Sequence, residues 1–571
     1  MRKLSFLTTL IFIITINILF NLLDYKIDLT DDKKHSISKQ ANRILNDLDD
    51  YIFIKVYLDG DLQADFKYLQ AELINLLNSF KLINHKYIDF EFIDPLNNYN
   101  ENENKEVYKR LVKEGILPTD IEIRTSTSIS NKIIFPGAII YYKNRQEAIN
   151  FLNNSPEKNT KENLATSIQE LEFKFISAIY RITKQKKQKI AFLEGNGELS
   201  ENEVYDLTES VLKNNNSLSY HYNIERFNIK VFHHDSTTNQ AGIQKQIEKI
   251  NKYKAIIIAK PTIPFNILDK YIIDQYVMNG GRILWLVDGV KASMDSLKNK
   301  KNFIASKNFL NLDDLFYKYG IRINANLVED LRSAQIPIVT GYSNNIPKQS
   351  LYQWPYFPLV FSEINHPISN KLDEIKCHFT NSIDTLKNSV NKTILLTTSK
   401  QSRSTPSPVK VSLNSIKFPP PLHTFNNGEL AIAVLLEGKF ESLFTNRIRP
   451  KNNSINFKNE SSISKMIVVS DGDIAKNNVS SNGNIYPLGY DKFINYTYSG
   501  NKKFLINSIH YLCDEIELTK LRTKEIELRL LDKNKVKQYI RHIQFFNILL
   551  PIIIILVFTL LFIAIKKRKY A

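Results

Sequence analysis

The feature that most limits this chain lies at its end. Phe545 to Ile565 reads FFNILLPIIIILVFTLLFIAI, a run without a charge, followed at once by Lys566, Lys567, Arg568 and Lys569. A helix of that length rises about 30 Å, the thickness of a bilayer's hydrocarbon core. A buried core helix has no need of so long an uncharged run beside a block of cations. The segment reads as a transmembrane helix, with Pro551 in its first turns, where a missing N–H costs least. Leu4 to Leu23 is a second candidate span, dominated by Leu, Ile, Phe and Thr, with amides only at Asn17 and Asn21. Its length, and its close on Phe20-Asn21-Leu22-Leu23-Asp24 without a small-residue site, favour an uncleaved anchor over a cleaved signal peptide. Arg2-Lys3 and Lys566 to Lys569 mark both termini as cytoplasmic. Everything between, about Asp24 to Gln544, is then expected on the far side of a bacterial inner membrane, in the periplasm.

The charge balance invites a different reading, which the distribution of charge removes. The chain has 571 residues, with 76 Lys+Arg against 59 Asp+Glu, a formal net charge of +17. Lys, Asn and Ile recur in every kind of segment, and no basic stripe with interleaved aromatics appears, so nucleic acid is not an expected partner. Six of the cations, Arg2, Lys3 and Lys566 to Lys569, are topology signals. Two cysteines, Cys377 and Cys513, exclude a disulfide scaffold and leave a single bridge open.

Between the spans the hydrophobic pattern divides the chain. Residues 24–152 alternate strands such as IFIKVYL (52–58) and YIDFEFI (87–93) with helical spacings at Phe66, Leu69, Leu73 and Phe80, a small α/β domain. Residues 161–445 open on a helix at Glu162–Thr183 and continue as a βα series: strand 189–193, helix 201–212, strands 220–227 and 255–259, helix 267–278, strand 282–287. Runs such as AIIIA and ILWLV are continuously apolar, which implies burial on both faces of a mainly parallel, doubly wound sheet. Past Leu327 the pattern loosens, with strands expected at 392–397, 431–436 and 466–469. Residues 446–544 form a C-terminal extracytoplasmic segment and helical stem, ahead of the span at 545–565 and a basic tail at 566–571.

Little of this carries a catalytic signature. Gly438-Lys439 is followed by Phe440 and lacks the rest of a Walker A motif, and neither H-E-x-x-H nor G-x-S-x-G occurs. The richest loop is Glu194-Gly195-Asn196-Gly197-Glu198, between a buried strand and a helix, where an open α/β sheet places its ligands. An ordinary glycine-shaped βα loop accounts for it better, since the third glycine of a dinucleotide fingerprint is missing. Asp288-Gly289 closes the strand ILWLV and is the second candidate, with no cysteine nucleophile near it. His233-His234-Asp235 lacks a third metal ligand at a suitable spacing, and Cys377-His378 lacks an orienting third group. Ser470-Asp471-Gly472-Asp473 reads as a capped turn, since the other oxygen ligands of a calcium loop are missing. No catalytic, cofactor or metal residue is assigned.

Several stretches together resemble a known family: DYKIDLTDDKKHSIS (24–38), KVYLDGDLQADFKYLQAELINLL (55–77), DFEFIDP (89–95), FLEGNGE (192–198), VVSDGDIAKN (468–477), PLGYDKF (487–493), GNKKFLINSIHYLCDE (500–515) and LRTKEIELRLLDKNKV (521–536). They are similar to the gliding motility-associated ABC transporter substrate-binding protein family of the Bacteroidetes. In that family the glycine-rich loop usually reads EGHGE, and Asn196 stands here in the histidine position. The resemblance implies a middle domain of amidotransferase-like fold without its catalytic cysteine, and no cofactor. It implies as partners an ABC permease, a separate cytoplasmic ATPase subunit, membrane lipid and other envelope proteins. A tethered scaffold of this kind competes with two rivals. A ligand receptor predicts a cleft near Glu194–Glu198 and Asp288, and a residual enzyme predicts clustered titratable groups with shifted pKa values.

Overall fold

In the computed structural model the described residues are 36–96, 101–124, 129–152, 160–184, 187–211, 217–230, 239–298, 300–343, 346–370, 372–450, 457–480, 482–514 and 533–570. The candidate span Leu4–Leu23 and the His233-His234-Asp235 stretch lie outside them. The chain forms two units, one of residues 37–524 and one made of its two ends, whose described helix is Lys533–Tyr570.

Helix α1 (Lys39–Asn46) is capped by Ser38, whose Oγ accepts from the Ala41 N–H at 3.1 Å. Strand β1 (Ile52–Val56) leads to helix α2 (Ala64–Ile83), where Leu69, Leu73, Leu77 and Phe80 fall on one stripe and are fully buried. Strands β2 (Ile88–Phe92), β3 (Gly137–Tyr142) and β4 (Arg145–Asn150) complete a sheet of order β2-β1-β3-β4, with β1 parallel to β2 and antiparallel to β3. Helix α3 (Leu171–Thr183), which the sequence pattern assigns to the doubly wound series, packs here instead. Phe175 meets Phe80 edge-on at 6.3 Å and stacks on Phe151 at 5.8 Å, so the helix closes the core of this first sheet.

The large sheet is built from β5 (Lys189–Glu194), β6 (Asn223–Asn228), β7 (Ala255–Ala259), β8 (Arg282–Leu286) and three later strands. After β8 come β9 (Ser333–Ser343) and β10 (Ile346–Val360), which form a separate ribbon, and then β11 (Asn391–Thr397), β12 (Ala431–Gly438) and β13 (Ser464–Val469), which return to the sheet. Its order is β11-β12-β13-β8-β7-β5-β6. The five strands from β13 to β6 are parallel, and β12 and β11 are added antiparallel. Alternate residues face opposite cores. Ile256, Ile258, Ile283 and Trp285 meet helices α4 (Asn239–Ile250) and α5 (Ile267–Met278), while Ile257, Leu284 and Ile467 meet α6 (Ser499–Leu512). The continuously apolar runs of the sequence are the cost-free solution for strands covered on both faces.

Two stretches differ from expectation. The helix expected over 201–212 is reduced to turns at Asn202–Val204 and Tyr205–Thr208. The buried Asp206 pulls the chain over, accepting from the Val211 and Leu488 N–H groups at 2.8 Å and pairing with Lys502 at 3.0 Å. The ribbon of β9 and β10 was not expected at all. Pro337, Pro347, Pro355 and Pro358 disguise it in the sequence, yet it carries Trp354, Tyr356 and Phe357 into a core shared with Phe379.

In the second unit, helix α7 (Lys533–Tyr570) contains an apolar stretch, Gln544–Lys566, long enough to cross a membrane and fully outside any core. Tyr539 interrupts its helical dihedrals.

Candidate functional site

The carboxyl edge of the parallel strands is where such a sheet gathers polar groups, and β5 and β7 flank the point at which the strand order reverses. The loop after β5 folds back over this crevice. Gly195 and Gly197 take positive φ, +119° and +72°, and a Cβ on Gly197 would lie 2.1 Å from Thr262 Oγ1. Asn196 is fully buried. Its carbonyl accepts from Thr262 and Ile263 N–H at 2.9 and 2.8 Å, and its own N–H donates to Glu198 Oε2 at 2.7 Å. Glu194 pairs with Arg226, which also donates to the Leu199 carbonyl at 2.6 Å. Burial lifts the Glu198 carboxyl to about 6. The Asn196 amide donates to the carbonyls of Ile263 and Pro264 at 3.4 and 3.3 Å, so this residue serves as a buried clamp.

Asp288 and Gly289, after β8, sit in a different kind of cluster. Asp288 Oδ1 accepts from the Gly472 N–H at 2.6 Å, and Oδ2 lies 3.6 Å from Lys260 Nζ. Lys260, the first residue after β7, also pairs with Asp473 at 2.5 Å. Its backbone has φ +53°, and Gly472 leaves the room, since a Cβ there would come within 3.0 Å of Lys260 Cα. Asp471 accepts from the N–H groups of His378 and Asp473 at 2.7 and 2.8 Å. Asn381 Oδ1 accepts from the Gly289 N–H at 2.6 Å. Residues 377–381 thus form a strap across the ends of β8 and β13, fixed on its other side to β10 through Cys377 N–H to Pro358 O and Phe379 N–H to Tyr356 O.

The electrostatics follow from burial. Burial, reinforced by Asp473, lifts Asp288 to about 6 against the pull of Lys260. Burial and the two neighbouring carboxylates push Asp471 well above the usual carboxylate range. Burial lowers Lys260, but Asp288 and Asp473 overcome it and raise the ammonium. His378 is held down to about 3 by burial and by Lys376. Burial and Asp471 push the Cys377 thiol far up, which makes it a poor nucleophile. Cys377 and Cys513 are both buried and are not joined in a disulfide.

The sequence singled out Glu194–Glu198 and Asp288-Gly289 as one candidate. The structure links them through residues 259–264 and adds Lys260, Asp471, Asp473 and His378, which sequence reasoning had kept apart. The available signal was that AIIIAK, LVDG and VVSDGD each end a buried parallel strand on a charge. Chemically, the Lys260 ammonium occupies the place a cation would take between Asp288 and Asp473. Among the described residues no group of three His, Cys, Asp or Glu side chains is arranged to hold a metal.

Of the comparisons with known proteins, one family model points to transport. An uncharacterized protein of Borreliella burgdorferi is 22% identical over 459 residues, covering 78% of this chain and 79% of that one. Among solved structures, the mmIFT52 N-terminal domain matches 57% of this chain and 97% of its own, at 15% identity and a TM-score of 0.30, too low to bear on the fold. Residues 31–141 match a family model described as a domain of unknown function. Residues 187–508, more than half of the chain and including the whole carboxyl edge, match the family described as an ABC-type uncharacterized transport system, and the chain belongs to that family.

Proposed function

We propose that this protein is a membrane-anchored, extracytoplasmic auxiliary subunit of an ABC transporter complex, acting by docking on the permease and other envelope proteins. The observation that carries the reading is the carboxyl edge, where Lys260 neutralises Asp288 and Asp473 and the 194–199 loop is pinned to 262–264. A place for chemistry has been turned into a rigid structural joint. The apolar stretch Gln544–Lys566 supplies the anchor, and ATP hydrolysis falls to a separate cytoplasmic ATPase. On this reading both termini are cytoplasmic and the bulk lies in the periplasm, with the first span at Leu4–Leu23. The resemblance to the gliding motility-associated family is the ground for placing the complex in that process, and for an amidotransferase-like descent of the middle domain. The test is affinity purification of the tagged full chain from cross-linked membranes, in which permease and ATPase are expected. Repeated recovery of neither overturns the reading.

A residual enzyme is the second reading, favoured by the displaced pKa values of Asp288, Asp471 and His378. Amide hydrolysis by the wild-type chain that Asp471→Asn abolishes would decide for it. A receptor role draws on two buried oxygens, Asn196 Oδ1 and Glu198 Oε1, that have no partner. A solute that raises the melting temperature of the wild type but not of Glu198→Gln would support it.

A further inference from the structure

Helix α7 begins eleven residues before its apolar stretch, and that lead-in has a composition the span does not explain. Lys533, Lys535, Lys537 and Arg541 fall between 533 and 543, with no Asp or Glu. Four cations therefore precede the apolar stretch and four follow it, Lys566 to Lys569. The count of cations close to this span is balanced, and orientation alone gives no reason for the first set. The apolar residues of the lead-in are Val536, Tyr539, Ile540 and Ile543, which recur at i, i+3, i+4 and i+7. On a helix that spacing makes a single apolar stripe. Arg541 stands about 5 Å along the axis from Gln544, within the depth of a headgroup layer, and Lys537 lies beyond the break at Tyr539. Tyr539, at the break in the helical dihedrals, is half exposed, and Phe545 and Phe546 are exposed just beyond it, the belt position of aromatic side chains.

We infer that residues 533–543 form a headgroup-binding stem, which lays its apolar stripe at the acyl boundary and its cations on anionic lipid headgroups of the leaflet on its own side of the membrane. The inference rests on the membrane-span reading proposed above. A basic segment next to a span is attracted to anionic lipid by each of its cations, and it loses that attraction when salt screens it. The partner is fixed by charge complementarity and by the continuity of the stem with the span.

The test uses the full chain in nanodiscs of neutral phosphatidylcholine and of phosphatidylcholine with phosphatidylglycerol. Amide hydrogen exchange is expected to be about tenfold slower over 533–543 in the anionic discs, with the difference abolished by high salt. The combined variant Lys533→Gln, Lys535→Gln, Lys537→Gln and Arg541→Gln is expected to lose it while the protein stays in the membrane pellet after alkaline carbonate. Equal exchange in both lipids, or protection that persists in the variant, overturns the stem with the span intact. Release of the wild type by carbonate overturns the span and the stem together.

Discussion

The loop after β5 and the loops after β8 and β13 lie along one edge of one sheet, yet different forces hold them. The first is held mainly by backbone hydrogen bonds, Asn196 O to the N–H groups of Thr262 and Ile263, and by glycines that allow close approach. The others are held by charge, three carboxylates around one ammonium. A backbone-held loop is sensitive to shape, and a charge-held loop to the loss of one partner and to pH.

Lys260→Met is expected to have the largest effect. It strands Asp288, Asp471 and Asp473 in a buried site without their counter-ion, a loss of about 3–5 kcal/mol, read as a fall in melting temperature of about 10 °C. Equal stability of the variant would show that the cluster is not held by charge. Gly197→Ala comes next, at about 1–3 kcal/mol, because alanine must take φ +72° and its Cβ meets Thr262 Oγ1. Adding Thr262→Ala should recover the steric part and leave the dihedral part.

The third prediction separates the loops by pH. Asp288 keeps its proton up to about 6, against an ordinary 3.8, so folding takes up a proton between those values. The stability this contributes is full below about pH 4 and is lost as pH rises through 6. In a Glu198→Gln background, melting temperatures from pH 4 to 8 should show that decline, and Asp288→Asn should reduce it to the part owed to Asp471 and other buried carboxylates. Asp473→Asn, by removing the carboxylate that lifts Asp288, should move the decline to lower pH. In the complementary Asp288→Asn background, the part of the decline that Glu198→Gln removes, raised chiefly by burial, should be the same with or without Asp473. The smallest effect belongs to Glu194→Gln, below about 1 kcal/mol by thermal melting, since that ion pair is partly exposed and open to screening.

How far the sequence reveals this edge depends on the kind of signal. AIIIA and ILWLV point to parallel, doubly covered strands, because a continuously apolar run of five residues is too short for a helix and is rich in Ile, Val, Leu and Trp. Helix α3 is legible as a helix, but Phe175 does not state which sheet it will meet, and amphipathic spacing is silent on partners. The prolines of β9 and β10 break the strand pattern in the sequence, although Pro337, Pro347 and Pro358 stand in the register of the ribbon and Pro355 falls where that register shifts. Lys260 was invisible for a different reason. One lysine after a strand is ordinary, and only the parallel register sets it against Asp288 and Asp473.

The hydrogen bond from Gly472 to Asp288 joins residues 184 positions apart. Strand β13 lies beside β8 in the sheet, so a chain emerging from its N-terminus has β5 to β8 in place long before their neighbour exists. Until it arrives, one flank of β8 is an open hydrogen-bonding edge and Asp288 lacks the Gly472 N–H. Closure across so long a loop is slow, and an incomplete parallel sheet is prone to wrong pairings. The joint at Lys260 therefore cannot close before residues 464–473 have emerged, and a chain truncated before residue 464 would leave it open.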